Sequence, residues 1–534
     1  MEQQNITPSA FIPRPLKVVV IGAGISGIQF AHDVMTRMSK IDLQIYEKNP
    51  EAGGTWFENR YPGCACDVPS HSYQYSWAPN PSWSKSYAPA AEICTYLDAV
   101  IDQHDLRKFM RFNHRCVSAI WSEDSSQWTT TFRHEVSHEK TVVQSDVLIY
   151  AVGRLNNYQI PLFKGRDKFK GQVLHTAAWP DDVTAHGKSV AVLGNGASGI
   201  QCVAGLRSEA KEIFNFARHP TWLGPGPFVE DRAYDEQEKV NFKRNPQAYH
   251  DYCMKLETVM SQAFEMLWKG TPTSKALQRR AKFLIKSNIE DPELQQKLTP
   301  EFTPGCRRWT PGEQYIAAIQ QPNVHLVQDH VAALTKHGVR TDAGDDYMCD
   351  VVVCATGFSP YSPRFSVVGR DGIALSDCWG RGGPCESYMA AMVAHFPNFF
   401  VFHPPNCPIN GSAFPGIERT ADYIIRILTR LQTDRLRSVS VRPEAQREFN
   451  RWVQSQMSDM VWSDTCKSWY GKIVVPWPGT TIHYYAATEI IRWEEFDLVF
   501  EVPAHRYLSF GNGITEDGFS PDSIPWVRGP ESWN

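Results

Sequence analysis

The chain has 534 residues, 42% hydrophobic and 21% charged, enough for a large core and for two or three domains of ~100 to 200 residues each. A formal charge of −4 gives no basic field for nucleic acid, and no uninterrupted apolar run approaches the ~18 residues of a membrane span. The start, MEQQNITPSAFIPRPLK, lacks the apolar stretch and cleavage site of a secretory signal. A cytoplasmic protein whose 13 cysteines stay reduced is therefore expected. The absence of C-x-x-C argues against a redox dithiol and a zinc ribbon, and no metal site is expected.

In chain order, LKVVVIGAGISGIQFAHDV reads as a buried strand running into Gly22, Gly24 and Gly27 and then a helix. These glycines permit a tight turn, close approach of a pyrophosphate to backbone, and helix-on-strand packing, with the helix N-terminus facing the anion. A second strand, DLQIYE, ends on Glu47, where a carboxylate can accept hydrogen bonds from an adenosine ribose. The run GGTWFENRYPGCACD follows; Gly53 and Gly54 permit a close-lying loop, Trp56 offers a flat wall, and the turn at Tyr61-Pro62-Gly63 presents Asp67.

Further on, DVLIYAVGR (146–154) and DVVVCATGF (350–358) read as core strands stopping at Gly153 and Gly357, places where the chain could cross between domains. Between them lies a connector, FKGQVLHTAAWP, and then a second glycine unit, KSVAVLGNGASGIQCVAGL, with Gly194, Gly196 and Gly199. The next strand ends near Arg218 rather than on an acid. A guanidinium there suits a ribose 2′-phosphate, which favours NADPH over NADH. Residues 231–298 are helix-like, with Leu256, Met260, Phe264 and Leu267 at helical spacing, an amphipathic packing face. The aromatic-rich runs CKSWYGK, WPGTTIHYY and IIRWEEF late in the chain suit a return to the first domain, with an aromatic wall over a substrate cavity.

Several of these runs together resemble the type I Baeyer–Villiger monooxygenases, a class of flavin-dependent monooxygenases, in particular those acting on natural-product ketones. The connector pattern Phe169-x-Gly171-x-x-x-His175-x-x-x-Trp179-Pro180 resembles the family fingerprint, and TPGCRRWTPGEQYIAAIQQPNVHLV resembles the segment that bears the family's catalytic arginine. The resemblance runs from about residue 16 to about residue 496. It implies an α/β protein with two Rossmann-like dinucleotide-binding domains, for FAD and NADPH, the second nested in the first and carrying a helical insertion. The expected boundaries are 1–157 and 376–534 for the FAD domain and 158–375 for the NADPH domain, with the insertion at about 228–303.

For the site, the resemblance implies Arg308 as the catalytic cation with Asp67 as its acidic partner. It implies Gly54, Thr55, Trp56, Asp67 and Tyr73 near the flavin, Ser198 in the second glycine turn, and Arg307, where the family usually has lysine, with Arg218 on the 2′-phosphate. Trp469 matches a loop tryptophan over the nicotinamide, and His175 and Trp179 would couple the two domains. The implied reaction is oxygen insertion beside a ketone carbonyl to give an ester or lactone, through a C4a-peroxyflavin, with O2 and a small ketone as the reaction partners. An oxygenase of soft nitrogen or sulfur atoms is one alternative, and a regulatory flavoprotein that has lost oxygenation is the other.

Overall fold

The computed structural model describes residues 9–224, 229–380, 383–464, 466, 475–516, 518 and 526. Its first sheet is parallel, in the order Phe399–Val401, Val147–Tyr150, Leu16–Ile21, Ile41–Tyr46, Met110–Arg111. The central strand reads as a continuous apolar run because both of its faces are covered. Side chains alternate across a strand. Val18 and Val20 therefore enter one core with the helices Ile25–Arg37 and Ala413–Thr433. Val19 and Ile21 enter another, closed by a four-stranded sheet of Ser366–Val368, His114–Ser122, Gln127–His134 and Lys140–Ser145.

The second sheet repeats the plan with Val324–Val327, Glu212–Phe216, Ser189–Leu193, Val351–Cys354 and Gln172–His175, again all parallel. Val190 and Val192 face one core, Ala191 and Leu193 the other. Strands from 172 to 354 thus build the second sheet, whereas Phe399–Val401 returns to the first, so one Rossmann-like unit is nested in the other. The chain has already crossed back by Ser366–Val368, which pairs with the strand His114–Ser122, ahead of the expected boundary at 375.

Between the strand Leu223–Gly224 and the arginine run stand the helices Glu236–Arg244, Pro246–Gln262, Pro272–Asn288 and Pro292–Leu298. Their starts are written in the sequence. Asp235 and Glu238 form a capping box, Asn245, Thr271 and Asp291 each accept a first-turn N–H, and the last three helices begin on proline. Leu256 and Met260 are buried on the second of these, and Phe264 and Leu267 on the short turn after it. Among the described residues, no helix is long and apolar enough to cross a membrane.

The cysteines depart from expectation. Cys306 and Cys466, 160 residues apart, form a disulfide with their Cα atoms 6.2 Å apart, while the other eleven are free. Nothing in their spacing signals the pair, because the bridge joins two loops brought together only by packing. Thr303 N–H donates to the Asp464 carboxylate at 2.9 Å, and Gly305 lies against Leu267 and Val461. Thiol titration of denatured, unreduced protein should count eleven thiols and, after reduction, thirteen; thirteen in both would remove the bridge.

Candidate active site

Both glycine turns are dictated by the same contact. Gly22 and Gly194 have φ of +108° and +115°, and a Cβ on either would stand 2.6 Å from the Ala151 carbonyl oxygen or 2.5 Å from that of Ala355. In each unit the third glycine, Gly27 or Gly199, packs against the carbonyl of the first, where a Cβ would come within 2.1 or 2.3 Å. At the end of Ile41–Tyr46, Glu47 is buried and its carboxylate accepts N–H bonds from Ala23 and Asn49, each at 2.9 Å. Burial pushes its pKa up, and the two backbone donors pull it back. A Cβ on Gly54 would lie 3.0 Å from the Cα of Gly24, so the two glycines leave bare backbone facing the cavity between them.

That cavity, about 410 Å3, is lined by Gly22, Gly24, Glu47, Gly54, Thr55, Trp56, Asp67 and Tyr73 of the first unit and by Ser198 and Arg308 of the second. Its volume lies within the ~300 to 1,000 Å3 of ligand sites. Arg308 and Asp67, 241 residues apart, form a two-pronged pair: Nη2 donates to Oδ1 at 2.6 Å and Nε donates to Oδ2. The side chains keep 40% and 19% exposure. Trp56 Nε1–H donates to the Tyr73 hydroxyl at 3.2 Å, with the rings edge to face; burial raises the Tyr73 pKa.

Other expected residues stand elsewhere. Gly196 is in the second turn but not on the cavity wall. Arg307 does not line the cavity either; its guanidinium lies 5.4 Å from the Phe302 ring centre, and burial lowers its pKa. Arg218 is exposed beyond the strand Glu212–Phe216. Trp469 lies outside the described residues. Of the expected aromatic wall, CKSWYGK lies, apart from Cys466, outside the described residues; Trp477 and Tyr484 of WPGTTIHYY are buried in the first unit's core and do not line the cavity. Tyr484 packs on the long helix Ala413–Thr433, whose Thr420 meets its hydroxyl at 3.0 Å, and Trp477 packs on Tyr484 and Phe449. Lys48, Arg115, Arg154, Arg364 and His403 line the cavity without any motif that announced them.

The connector is fixed at several points. The Phe169 ring lies over Gly171, where a Cβ would come 2.5 Å from its Cζ and 2.1 Å from the Asp350 carbonyl oxygen. Trp179 is buried in the second unit's core, and the Pro180 carbonyl accepts from Val183 N–H. His175 stacks on Tyr158, ring centres 4.6 Å apart, and meets Phe358 edge-on at 5.8 Å. Tyr158 and Phe358 bridge the two crossing segments. His175 Nδ1 accepts from Ala177 N–H at 3.1 Å, and the ring also meets the Gly357 backbone.

Two glycine-turn units with a shared cavity, walled by a carboxylate-held arginine, define an oxidoreductase that works with two dinucleotides. Comparison with known proteins agrees. The flavin-binding monooxygenase-like family matches residues 15–235. The FAD-binding monooxygenase moxY of Dothistroma septosporum is 37% identical over 93% of this chain and 82% of its own length. A Baeyer–Villiger monooxygenase of Pseudomonas aeruginosa is 32% identical over 90% and 91%. Among solved structures, cyclohexanone monooxygenase of Rhodococcus sp. Phi1 bound to NADP+ superposes with a TM-score of 0.80 at 26% identity, covering 92% of this chain and 100% of that one. A steroid monooxygenase bound to NADP gives 0.79 at 26% identity, over 91% and 100%. The chain belongs to the flavin-dependent Baeyer–Villiger monooxygenases.

Two buried histidines and a third that is partly buried on the cavity wall set an acid limit. Burial lowers the pKa of His175 and of His71 to about 4, and that of His403 to about 3. Each is lower folded than unfolded, so the unfolded chain binds more protons between about pH 6.5 and 4, and stability falls as pH falls through that window. Thermal unfolding should show His175→Gln losing less stability than wild type between pH 6.5 and 4, by on the order of 1 to 3 kcal/mol; parallel pH profiles would contradict the neutral, buried imidazole.

Proposed function

We propose that the protein is an FAD- and NADPH-dependent monooxygenase that uses O2 to insert one oxygen beside a ketone carbonyl, giving an ester or lactone. One observation carries the residue assignments: the Arg308–Asp67 pair lies in the wall of the same cavity as the first glycine turn, Gly54 and Ser198. The bare backbone between Gly24 and Gly54, and Glu47 at the end of the second strand, fit the diphosphate and ribose of FAD. When bound, FAD reduced by NADPH supplies the activation of oxygen and its transfer to the ketone.

The protein's own part is charge placement and shape. Arg308 presents a cation where negative charge develops on the ketone oxygen, a preorganised group that needs no rearrangement at the moment of reaction. Asp67 grips two edges of the guanidinium and aims the remaining donors. Trp56 and Tyr73, joined by their own hydrogen bond, make a rigid wall beside them. No side chain is required as a covalent nucleophile. Arg218 and Arg307 are assigned to the 2′-phosphate of NADPH, and Trp469 to closure over the nicotinamide. His175 and Trp179 are assigned to coupling the two units. The domain division read from the sequence, 1–157, 158–375 and 376–534, is proposed with its second boundary moved forward to before Ser366, where the chain already pairs with the first unit.

Cyclic ketones, up to polycyclic size, are the substrates to screen first, a choice supported by the fold shared with a cyclohexanone and a steroid monooxygenase. The cytoplasm is the assigned compartment, supported by the eleven free cysteines; the Cys306–Cys466 bridge pulls the other way. Thiol counts on protein extracted under alkylating conditions, and localisation of a tagged chain, decide between them.

Ester formed per NADPH consumed is the deciding measurement. Arg308→Ala should keep FAD and lose ~3 to 4 kcal/mol of barrier stabilisation, or ~100- to 1,000-fold in rate. Arg308→Lys should recover only part, because an ammonium cannot match the planar fork, and Asp67→Ala should show a milder defect. Near-wild-type conversion by Arg308→Ala would refute the mechanism, and oxidation of sulfides or amines with no turnover of ketones would refute the substrate class.

Arg218→Ala should weaken apparent NADPH affinity roughly tenfold to a hundredfold with little effect on NADH, the cost of one ion pair to phosphate. The same comparison with Arg307→Ala separates a phosphate contact from a loop anchor held on Phe302. An unchanged NADPH-to-NADH ratio removes the residue concerned from the cofactor site.

A further inference from the structure

Five cations line the cavity: Lys48, Arg115, Arg154, Arg308 and Arg364. Three are matched by carboxylates, Lys48 by Glu58, Arg115 by Glu135 and Arg308 by Asp67. Arg154 donates to the Cys407 sulfur at 2.6 Å. Arg364 is different. It is half-buried, and among the described residues no carboxylate stands within ion-pair distance of its guanidinium. Its surroundings do not favour a bare charge: desolvation lowers its pKa, Glu58 is close enough to oppose that, and Arg115 adds to it.

Arg364 is also held in place. It precedes the strand Ser366–Val368, whose parallel register on His114–Ser122 is Ser366 beside Ser118 and Val367 beside Ala119. Arg364 lines the same cavity as Cys116 of that strand. Phe365 lines the cavity too, its ring 5.6 Å from that of Tyr150. A second feature of the same cavity points to an anion. The helix Ile25–Arg37 begins at Gly24 with no side-chain cap and no acidic residue in its first turn, so its leading N–H groups face the cavity uncapped.

From this arrangement we propose that Arg364 is an anion-binding residue of the FAD site, pairing its guanidinium with the diphosphate. The proposal rests on the reading of this cavity as the FAD site. Oxidised FAD carries its formal charges at neutral pH only on the diphosphate, so that group is the part of the oxidised cofactor able to match an unpaired guanidinium. Arginine's fork suits two phosphate oxygens at once. The sequence run SPYSPRF around it carries no nucleotide motif, so the site would be a contribution from the return crossing to a pocket otherwise built by the first glycine unit.

The test is a titration of full-length protein, stripped of flavin, with FAD and with riboflavin, which lacks phosphate, followed by flavin fluorescence. R364M should weaken FAD binding about 10- to 100-fold while changing riboflavin binding less than twofold, and the dependence of FAD binding on salt should become shallower. R364K, which keeps the charge without the fork, should fall between, and it carries the same test if R364M does not fold. Unchanged FAD affinity overturns the proposal, as does an equal loss for FAD and riboflavin, which would make Arg364 a packing residue. Wild-type protein that bound no FAD would overturn the function itself, a result distinct from either.

Discussion

The carbonyl groups of Ala151 and Ala355 leave no room for side chains on Gly22 and Gly194, and much of the molecule is arranged around these two contacts. Each ties a nucleotide turn to the end of the neighbouring parallel strand. Two residues later the chain reaches Gly153 or Gly357, both with positive φ, and from there it leaves for the other unit. The position of each turn and the crossing point between units are therefore set by one packing contact. A larger residue at either first glycine would push the turn off the strand end and move the crossing with it.

Because the units are nested, the site's chemistry depends on their relative position. Asp67 belongs to the first unit and Arg308 to the second, and their ion pair spans the join. Other links spread along the same seam: the Tyr61 hydroxyl donates to Gln201 at 2.7 Å, Gln201 donates to the Ala65 carbonyl at 3.0 Å, and Arg60 pairs with Asp181 at 2.7 Å. With Arg308 40% exposed, the pair adds little stability, ~0 to 1 kcal/mol for exposed pairs. Its value is orientation. A two-pronged grip fixes the plane of the guanidinium, which a single contact would leave free to turn.

Local rules made part of this legible in the sequence. The glycine turns, Glu47 and the capped helices of the insertion each depend on residues close together in the chain, and they fold as their spacing implies. The Arg308–Asp67 pair is separated by 241 residues, and only a family resemblance brought the two together beforehand. Arg364 and His403 reach the cavity by the return of the chain after the second sheet, a consequence of topology with no periodicity to announce it. The disulfide was illegible for the same reason. The run WPGTTIHYY misled because Trp and Tyr density is equally the mark of a core: Tyr484 packs on the helix Ala413–Thr433 and Trp477 against Phe449 and Tyr484, and neither faces the cavity.

The connector's spacing has a mechanical explanation. His175 ends the strand Gln172–His175, and its side chain caps the short turn Thr176–Ala178 by accepting Ala177 N–H. That turn delivers Trp179 into the second unit's core, so the interval from histidine to tryptophan is the length of one capped turn. The same imidazole is pressed between Tyr158 and Phe358, one from each crossing segment. A leucine there would fill the space. It could not, however, cap the turn and stack flat on Tyr158 at once. One end of the connector is thereby anchored in a core and the other on both crossings.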